Sequence, residues 1–179
     1  MQLYAPKRNS TDPVVFLDIS AGGQALGRIK IELFSDICPK TAENFRQLCT
    51  GEFRVNGVPI GYKNSSFHRV TRGLMIHGGD FVQGDGTGSQ SIYGVKFPVE
   101  NYTLKHDTPG LVAMVTSENS SGCQFYITCA PAEYLDAKHC IFGAVLDKES
   151  MHIVRTIENL AVVDSKPKLP VIISECGEL

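Results

Sequence analysis

From Tyr62 to its C-terminus the chain is a succession of short apolar runs, each bounded by Gly, Pro, Ser or Asp: Ser66 to Val70, Leu74 to His77, Leu111 to Val115, Cys123 to Cys129 and His139 to Val145. Runs this short are read as strands. Nearer the start, Val14 to Ile19 is β-branched and aromatic, and Ala21-Gly22-Gly23 supplies turn residues. Arg28 to Leu33 then alternates charged side chains with Ile29, Ile31 and Leu33. That pattern is a hairpin with one buried face. Val171 to Ser174, after Pro167 and Pro170, adds a last apolar strand. Eight or so strands need their edges managed, and closing a sheet on itself removes them. A mainly β barrel fits; a sandwich fits the same pattern.

Two segments break the rhythm. Pro39 sits where a first helical turn accepts proline, Ala42, Phe45 and Cys49 recur at helical spacing, and Gly51 follows as a stop, so a helix spans about 39–50. Met151, Val154, Ile157 and Leu160 mark a second helix. No internal repeat or low-complexity tract interrupts the pattern. The 179 residues suit one domain over 13–179 behind a short polar extension at 1–12.

Charge and cysteine usage narrow the function. Lys+Arg 17 against Asp+Glu 19 leaves a formal charge of -2, which provides no basic footprint for a phosphate backbone, so direct nucleic-acid binding is not expected. Neither a signal-peptide core nor a membrane-spanning run is present, and a soluble monomer of the nucleus or cytoplasm is expected. The six cysteines lack C-x-x-C spacing and are read as reduced, mostly buried thiols. Cys123 and Cys129 on one strand would lie roughly 20 Å apart, too far to bridge. The five histidines show no ligand spacing for a metal. Gly84 to Ser89 lacks the Lys-Ser/Thr of a phosphate loop, so no cofactor is expected.

The chemistry is carried by two strands and their neighbours. Alternation puts Phe67 and Arg69 on one side of a strand, and Met75 and His77 on one side of the next. Further on, Gln124 and Tyr126 share one face while Phe125 and Ile127 share the other, so one row lines the core and the other can line a groove. From spacing alone, Arg69 is more simply a solvated or salt-bridged strand residue and Gln124 an ordinary surface amide.

Specific strings decide between these. Phe67-His68-Arg69-Val70, Met75 to Phe81, Gly84-Asp85-Gly86-Thr87-Gly88, Gly122-Cys123-Gln124-Phe125-Tyr126-Ile127 and Leu135-Asp136-Ala137-Lys138-His139 resemble the cyclophilin-type peptidyl-prolyl isomerases. Pro39 to Phe45 and Cys49-Thr50-Gly51 extend the likeness, which runs in order over residues 13–178. The resemblance implies a closed eight-stranded antiparallel barrel capped by two helices, with a substrate groove outside a packed interior. It implies cis/trans isomerisation of X–Pro bonds in proline-containing polypeptides, with Arg69 as the catalytic donor to the prolyl nitrogen. Leu74, Met75, Tyr126 and Leu135 would form the proline pocket and His139 its rim. Gln124 and the backbone of Val115, Thr116 and Ser117 would hold the peptide, and Gly86 would let it approach closely.

The chain departs from the family pattern at four groove positions. Leu74 stands where Phe is usual, His77 where Gln is usual, Tyr126 where Phe is usual, and Tyr134 often replaces Trp. A buried Tyr126 hydroxyl needs a hydrogen-bond partner. A protonated His77 beside Arg69 would add positive charge and make activity weaker and pH-sensitive. A phenol at Tyr134 predicts weakened binding of cyclosporin. The run Val115 to Ser121 is one residue short and lacks the family's Gly-Pro.

The insertion Glu52 to Ile60, with Lys166 to Val171 and Cys176-Gly177-Glu178, resembles the spliceosomal branch of the family. That likeness implies docking on a tri-snRNP protein away from the groove. The alternative to an enzyme is a proline-peptide-binding scaffold module with weak or no isomerase activity.

Overall fold

The computed structural model describes Asn9 and residues 11–179, so most of the expected 1–12 extension lies outside the described residues. The chain is mainly β with two helices. Strands β1 (Val14–Ala21) and β2 (Gln24–Leu33) form the expected hairpin, and β1 turns Val15, Leu17 and Ile19 into the core. Helix α1 (Pro39–Thr50) has the expected bounds: proline opens it, and Gly51 closes it at φ +79, a conformation glycine adopts without steric cost.

Two short strands follow, β3 (Arg54–Val55) and β4 (Val58–Pro59), then β5 (Arg69–Thr71), β6 (Met75–Gly78) and β7 (Phe97–Pro98). The second half carries β8 (Leu111–Ser117), β9 (Ser120–Thr128), a 3-10 turn (Glu133–Leu135), β10 (Cys140–Val145) and α2 (Lys148–Glu158). It ends with β11 (Val162–Val163), β12 (Lys166–Pro167) and β13 (Val171–Glu178). Leu160 falls beyond α2, which is capped at its start by the Asp147 side chain accepting from Ser150 N.

The main sheet is a curled antiparallel path of eight strands in the order β13-β1-β2-β10-β8-β9-β6-β5, with β7 joined to β9. Its two ends are linked by an antiparallel bridge between Ser66 and Ile172. This explains why β5 starts later than the apolar run predicted. Residues 65–67 bond to β13 rather than to β6, through Phe67 N to Val171 O and Ser65 O from Ile173 N.

Three tight hairpins were not foreseen from periodicity: two join strands of two residues, which show none, and the third joins β8 to β9, whose ends run past the apolar residues that mark them. Asn56-Gly57, Glu118-Asn119 and Asp164-Ser165 each place both central residues at positive φ, the geometry that matches strand twist across a two-residue turn. The Glu118-Asn119 turn accounts for the short run between Val115 and Ser121.

Apolar residues gather on both faces of the sheet. The main core packs Phe45, Tyr62, Phe67 and Phe142 with Phe125, which meets Phe45, Tyr62 and Phe67 edge to face at 5.0, 5.2 and 5.7 Å. A second cluster comprises Phe34, Ala113, Tyr126, Ala132, Leu135 and Ile141, with Leu74, Met75 and Val115 packed against it. Phe125 and Tyr126, adjacent in sequence, thus belong to different clusters, as strand alternation requires. The sulfur atoms of Cys38 and Cys140 lie 3.5 Å apart in the interior, a proximity that a separation of 102 residues concealed.

Candidate functional site

Strand register builds a row across four strands. Arg69 on β5 lies directly opposite His77 on β6, His77 opposite Tyr126 on β9, and Tyr126 opposite Ala113 on β8. Neighbouring strands are about 4.8 Å apart, so the Arg69 and Tyr126 backbones are separated by about 10 Å. Arg69 is exposed, and among the described residues no side chain bonds or ion-pairs with its guanidinium. Tyr126 is 1% exposed and forms an aromatic floor with Leu135 and the partly buried Leu74 and Met75.

Around this row a hydrogen-bonded frame fixes the side chains. His77 Nε2 is 2.9 Å from Gln124 Oε1, and the Gln124 amide donates to the carbonyls of Gly86 and Gly88, each at 2.8 Å. Gly86 N donates in turn to Asp80, which also accepts from Val82, Gln83, Asp85 and Gly88. Burial works against ionisation of Asp80, but these backbone N–H groups outweigh it and hold the carboxyl at about 2. On the other side, His139 Nδ1 accepts from Thr116 N at 3.0 Å, and its ring meets Tyr126 edge to face at 5.5 Å. Burial lowers the His139 pKa.

Two cavities adjoin the row. One of about 310 Å³ is lined by His77, Gly86, Lys96, Val115, Ser117 and Gln124 among others. The other, about 410 Å³, is lined by His68, Arg69, Gly84, Asp85 and Asp164 to Lys166. Met75 and Tyr126 line neither; they belong to the second apolar cluster, and Tyr126 shares the strand row with Arg69 while Met75 lies further along β6, opposite Thr71 and Thr128.

Strand register thus sets a cation two strands from an aromatic floor, with polar side chains along one rim. Comparison with known proteins gives that geometry a family. The sequence pattern described as cyclophilin type peptidyl-prolyl cis-trans isomerase/CLD matches residues 16–178. The chain belongs to this family. It is 54% identical to peptidyl-prolyl cis-trans isomerase 11 of Caenorhabditis elegans over 96% of its own length and 94% of the relative's. It is 55% identical to peptidyl-prolyl cis-trans isomerase CYP22 of Arabidopsis thaliana, over 96% of this chain and 86% of the relative. A peptidyl-prolyl cis-trans isomerase H of Rhizopus delemar is also 55% identical, over 93% and 94%.

Within this cyclophilin fold several expectations change. His77 is not a cation near neutral pH: burial first, then neighbouring His68, bring its pKa down to about 4 despite the Gln124 contact, which pulls the other way. The His68 ring meets it edge to face at 4.5 Å. Charge repulsion with Arg69 between pH 5.5 and 8 is therefore removed as a cause of pH-sensitive activity. Of the Thr116 backbone, expected to help hold a peptide, the N–H is engaged by His139 Nδ1. Val115 sits at the register shift between Met114 and Thr116. Gly86 adopts φ +96, and a side chain there would come within 3.0 Å of His68 Nε2, so the glycine accommodates an internal ring. Tyr134 is 58% exposed on the 3-10 turn.

The partner demanded by the Tyr126 hydroxyl is His106, whose Nε2 lies 2.6 Å away, and His106 Nδ1 lies 2.9 Å from Asp136 Oδ1. Neither residue was singled out from sequence. The available signal was the need for an acceptor near a buried phenol, which does not say where along the chain it lies.

Proposed function

We propose that this cyclophilin isomerises X–Pro bonds of other polypeptides with Arg69 as catalytic residue, the proline ring resting on Tyr126, Leu74, Met75 and Leu135. The observation that carries this reading is the Arg69–His77–Tyr126 row, with a guanidinium free of protein partners among the described residues beside an apolar floor. Rotation about a prolyl bond breaks amide resonance and needs no covalent intermediate. A donor aimed at the prolyl nitrogen strengthens its contact as that nitrogen pyramidalises, which favours the twisted state over both planar ones. Gln124 and the backbone near Val115 and Ser117 hold the flanking chain, and His139 closes the rim. Exchange spectroscopy on an Ala-Pro peptide tests this: cis/trans cross-peaks at catalytic protein concentrations are expected. Shift changes without exchange would leave only a proline-peptide-binding module.

Closure of the eight-strand path into a barrel is part of the same reading, supported by the Ser66–Ile172 bridge and the Phe67 and Ile173 amide bonds beside it. Those two amides should exchange as slowly as amides of β1. Rapid exchange at both would mean an open sheet.

Cyclosporin binding is proposed to be weak because the exposed Tyr134 phenol lacks the reach of an indole N–H. Tyr134→Trp is expected to tighten cyclosporin about fivefold in a calorimetric titration, the worth of one net hydrogen bond. Unchanged affinity would remove this explanation.

A docking role on a tri-snRNP protein in the nucleus rests on the sequence likeness to the spliceosomal branch. It is supported by the β3–β4 hairpin, which exposes Val55 and Val58 beside a cavity of about 490 Å³ lined by Pro59, Ile60, Phe81, Val82 and Ile172. Val58→Asp should abolish capture of splicing proteins from nuclear extract while Ala-Pro exchange stays at the wild-type rate. Capture that survives the substitution would move the docking surface elsewhere.

A further inference from the structure

The Tyr126 hydroxyl, the His106 ring and the Asp136 carboxylate form one chain of hydrogen bonds drawn from three separate stretches: β9, the loop before β8, and the turn after Leu135. His106 is fully buried and Tyr126 nearly so. The backbone reinforces the link, since His106 N donates to Asp136 Oδ1 at 2.7 Å and Ala132 N donates to His106 O at 2.9 Å. The segment 132–136 carries Leu135, one wall of the pocket, and it is tied to His106 at both ends. Tyr126, the floor, is tied to the same imidazole.

The proton positions follow from the donors available. The backbone N–H of His106 and then its side chain hold the Asp136 carboxyl below its usual range, so it is an anion that can only accept. Its partner Nδ1 therefore carries a proton, and in the neutral ring Nε2 is then the acceptor. Burial pushes the Tyr126 phenol well above its usual range, so the hydroxyl remains a donor. With a neutral His106 ring the phenol donates to Nε2, and its proton is spent inward instead of toward a substrate.

We propose that His106 is a positioning residue for the isomerase pocket: through Tyr126 and Asp136 it sets the distance between floor and wall, and so restricts the pocket to a five-membered ring. The proposal rests on the reading of Tyr126 and Leu135 as the proline pocket. A floor and wall fastened to one rigid ring cannot spread, and a pocket that cannot spread penalises an added methylene. The penalty for one methylene is on the order of 10- to 200-fold in a tight apolar pocket.

The test compares kcat/KM for an Ala-Pro peptide with that for its pipecolyl analogue, whose ring has one more carbon. Wild type should prefer proline by about tenfold or more. His106→Leu and Tyr126→Phe should each lower that preference to about threefold or less, and the double variant should be no worse than the weaker single, as for two residues acting through one bond. An unchanged preference in both single variants overturns the proposal, as do effects that multiply in the double variant or a wild type without preference. Should His106→Leu fail to fold, Tyr126→Phe, which removes a single oxygen, decides by the same ratio. Nitrogen-15 spectra provide an independent readout: His106 is expected with its proton on Nδ1, and a proton on Nε2 overturns the assignment. A wild type that catalyses neither peptide would sink the isomerase reading, and the same ratio taken from dissociation constants would still decide the pocket.

Discussion

Replacing Arg69 with alanine is expected to lower kcat/KM on an Ala-Pro peptide by about 10²- to 10³-fold, the loss typical of one donor that acts on developing charge. The dissociation constant for the same peptide should change far less. The two quantities separate because the guanidinium contact strengthens only as the amide twists: planar amides hold the nitrogen lone pair in resonance, while the rotated bond releases it to accept. Arg69 suits this role by position. It faces His77 across the ladder, and His77 faces Tyr126, so Arg69 lies two strands from the floor proposed for the ring. No described side chain competes for the guanidinium. Lysine should restore little, since an ammonium lacks the planar fork that can reach a nitrogen and the neighbouring carbonyl together. Exchange spectroscopy for the rate and peptide titration for affinity check both parts. Wild-type exchange in Arg69→Ala would transfer the catalytic role to another group or leave a holding module.

How much of this could be read from residues alone depends on the range of the interactions. Alternation in the β1–β2 hairpin and the proline and glycine flanking α1 are local signals, and the elements follow them closely. The opposite allegiances of Phe125 and Tyr126 were legible for the same reason. Ser66 to Val70 misled because its first residues pair with β13, about a hundred positions later, and periodicity carries no information on partners. Asn56-Gly57 is itself a hairpin signature, but the strands it joins are two residues long, too short to show alternation. In the candidate site, residue types and faces were legible, whereas partners were not. The Tyr126 phenol announced its need for a hydrogen bond; that the need is met by His106, and that His106 is held by Asp136, depends on a loop and a turn brought together by the fold.

The same limit explains His77, whose sequence context shows a histidine beside an arginine but not the depth of its burial. The structure turns an expected pH effect on activity into one on stability. In the unfolded chain the imidazole has an ordinary pKa of 6.5, and in the fold burial, with His68, lowers it to about 4. Between those values the unfolded state binds the additional proton, so stability rises with pH across this window. The contribution is fully present above about pH 6.5 and is lost as pH falls toward 4. At 1.36 kcal/mol per unit, the shift is worth about 3 kcal/mol. Urea unfolding at pH 7 and pH 4 should therefore show wild type losing about 3 kcal/mol more than His77→Gln, whose amide does not titrate. Over pH 5.5 to 8 the ratio of wild-type to His77→Gln isomerase rates should stay constant, because His77 is uncharged throughout that range. Equal acid losses in the two proteins would mean that His77 charges in place, with Gln124 and water solvating it; a rate ratio that climbs with pH would restore the repulsion between His77 and Arg69.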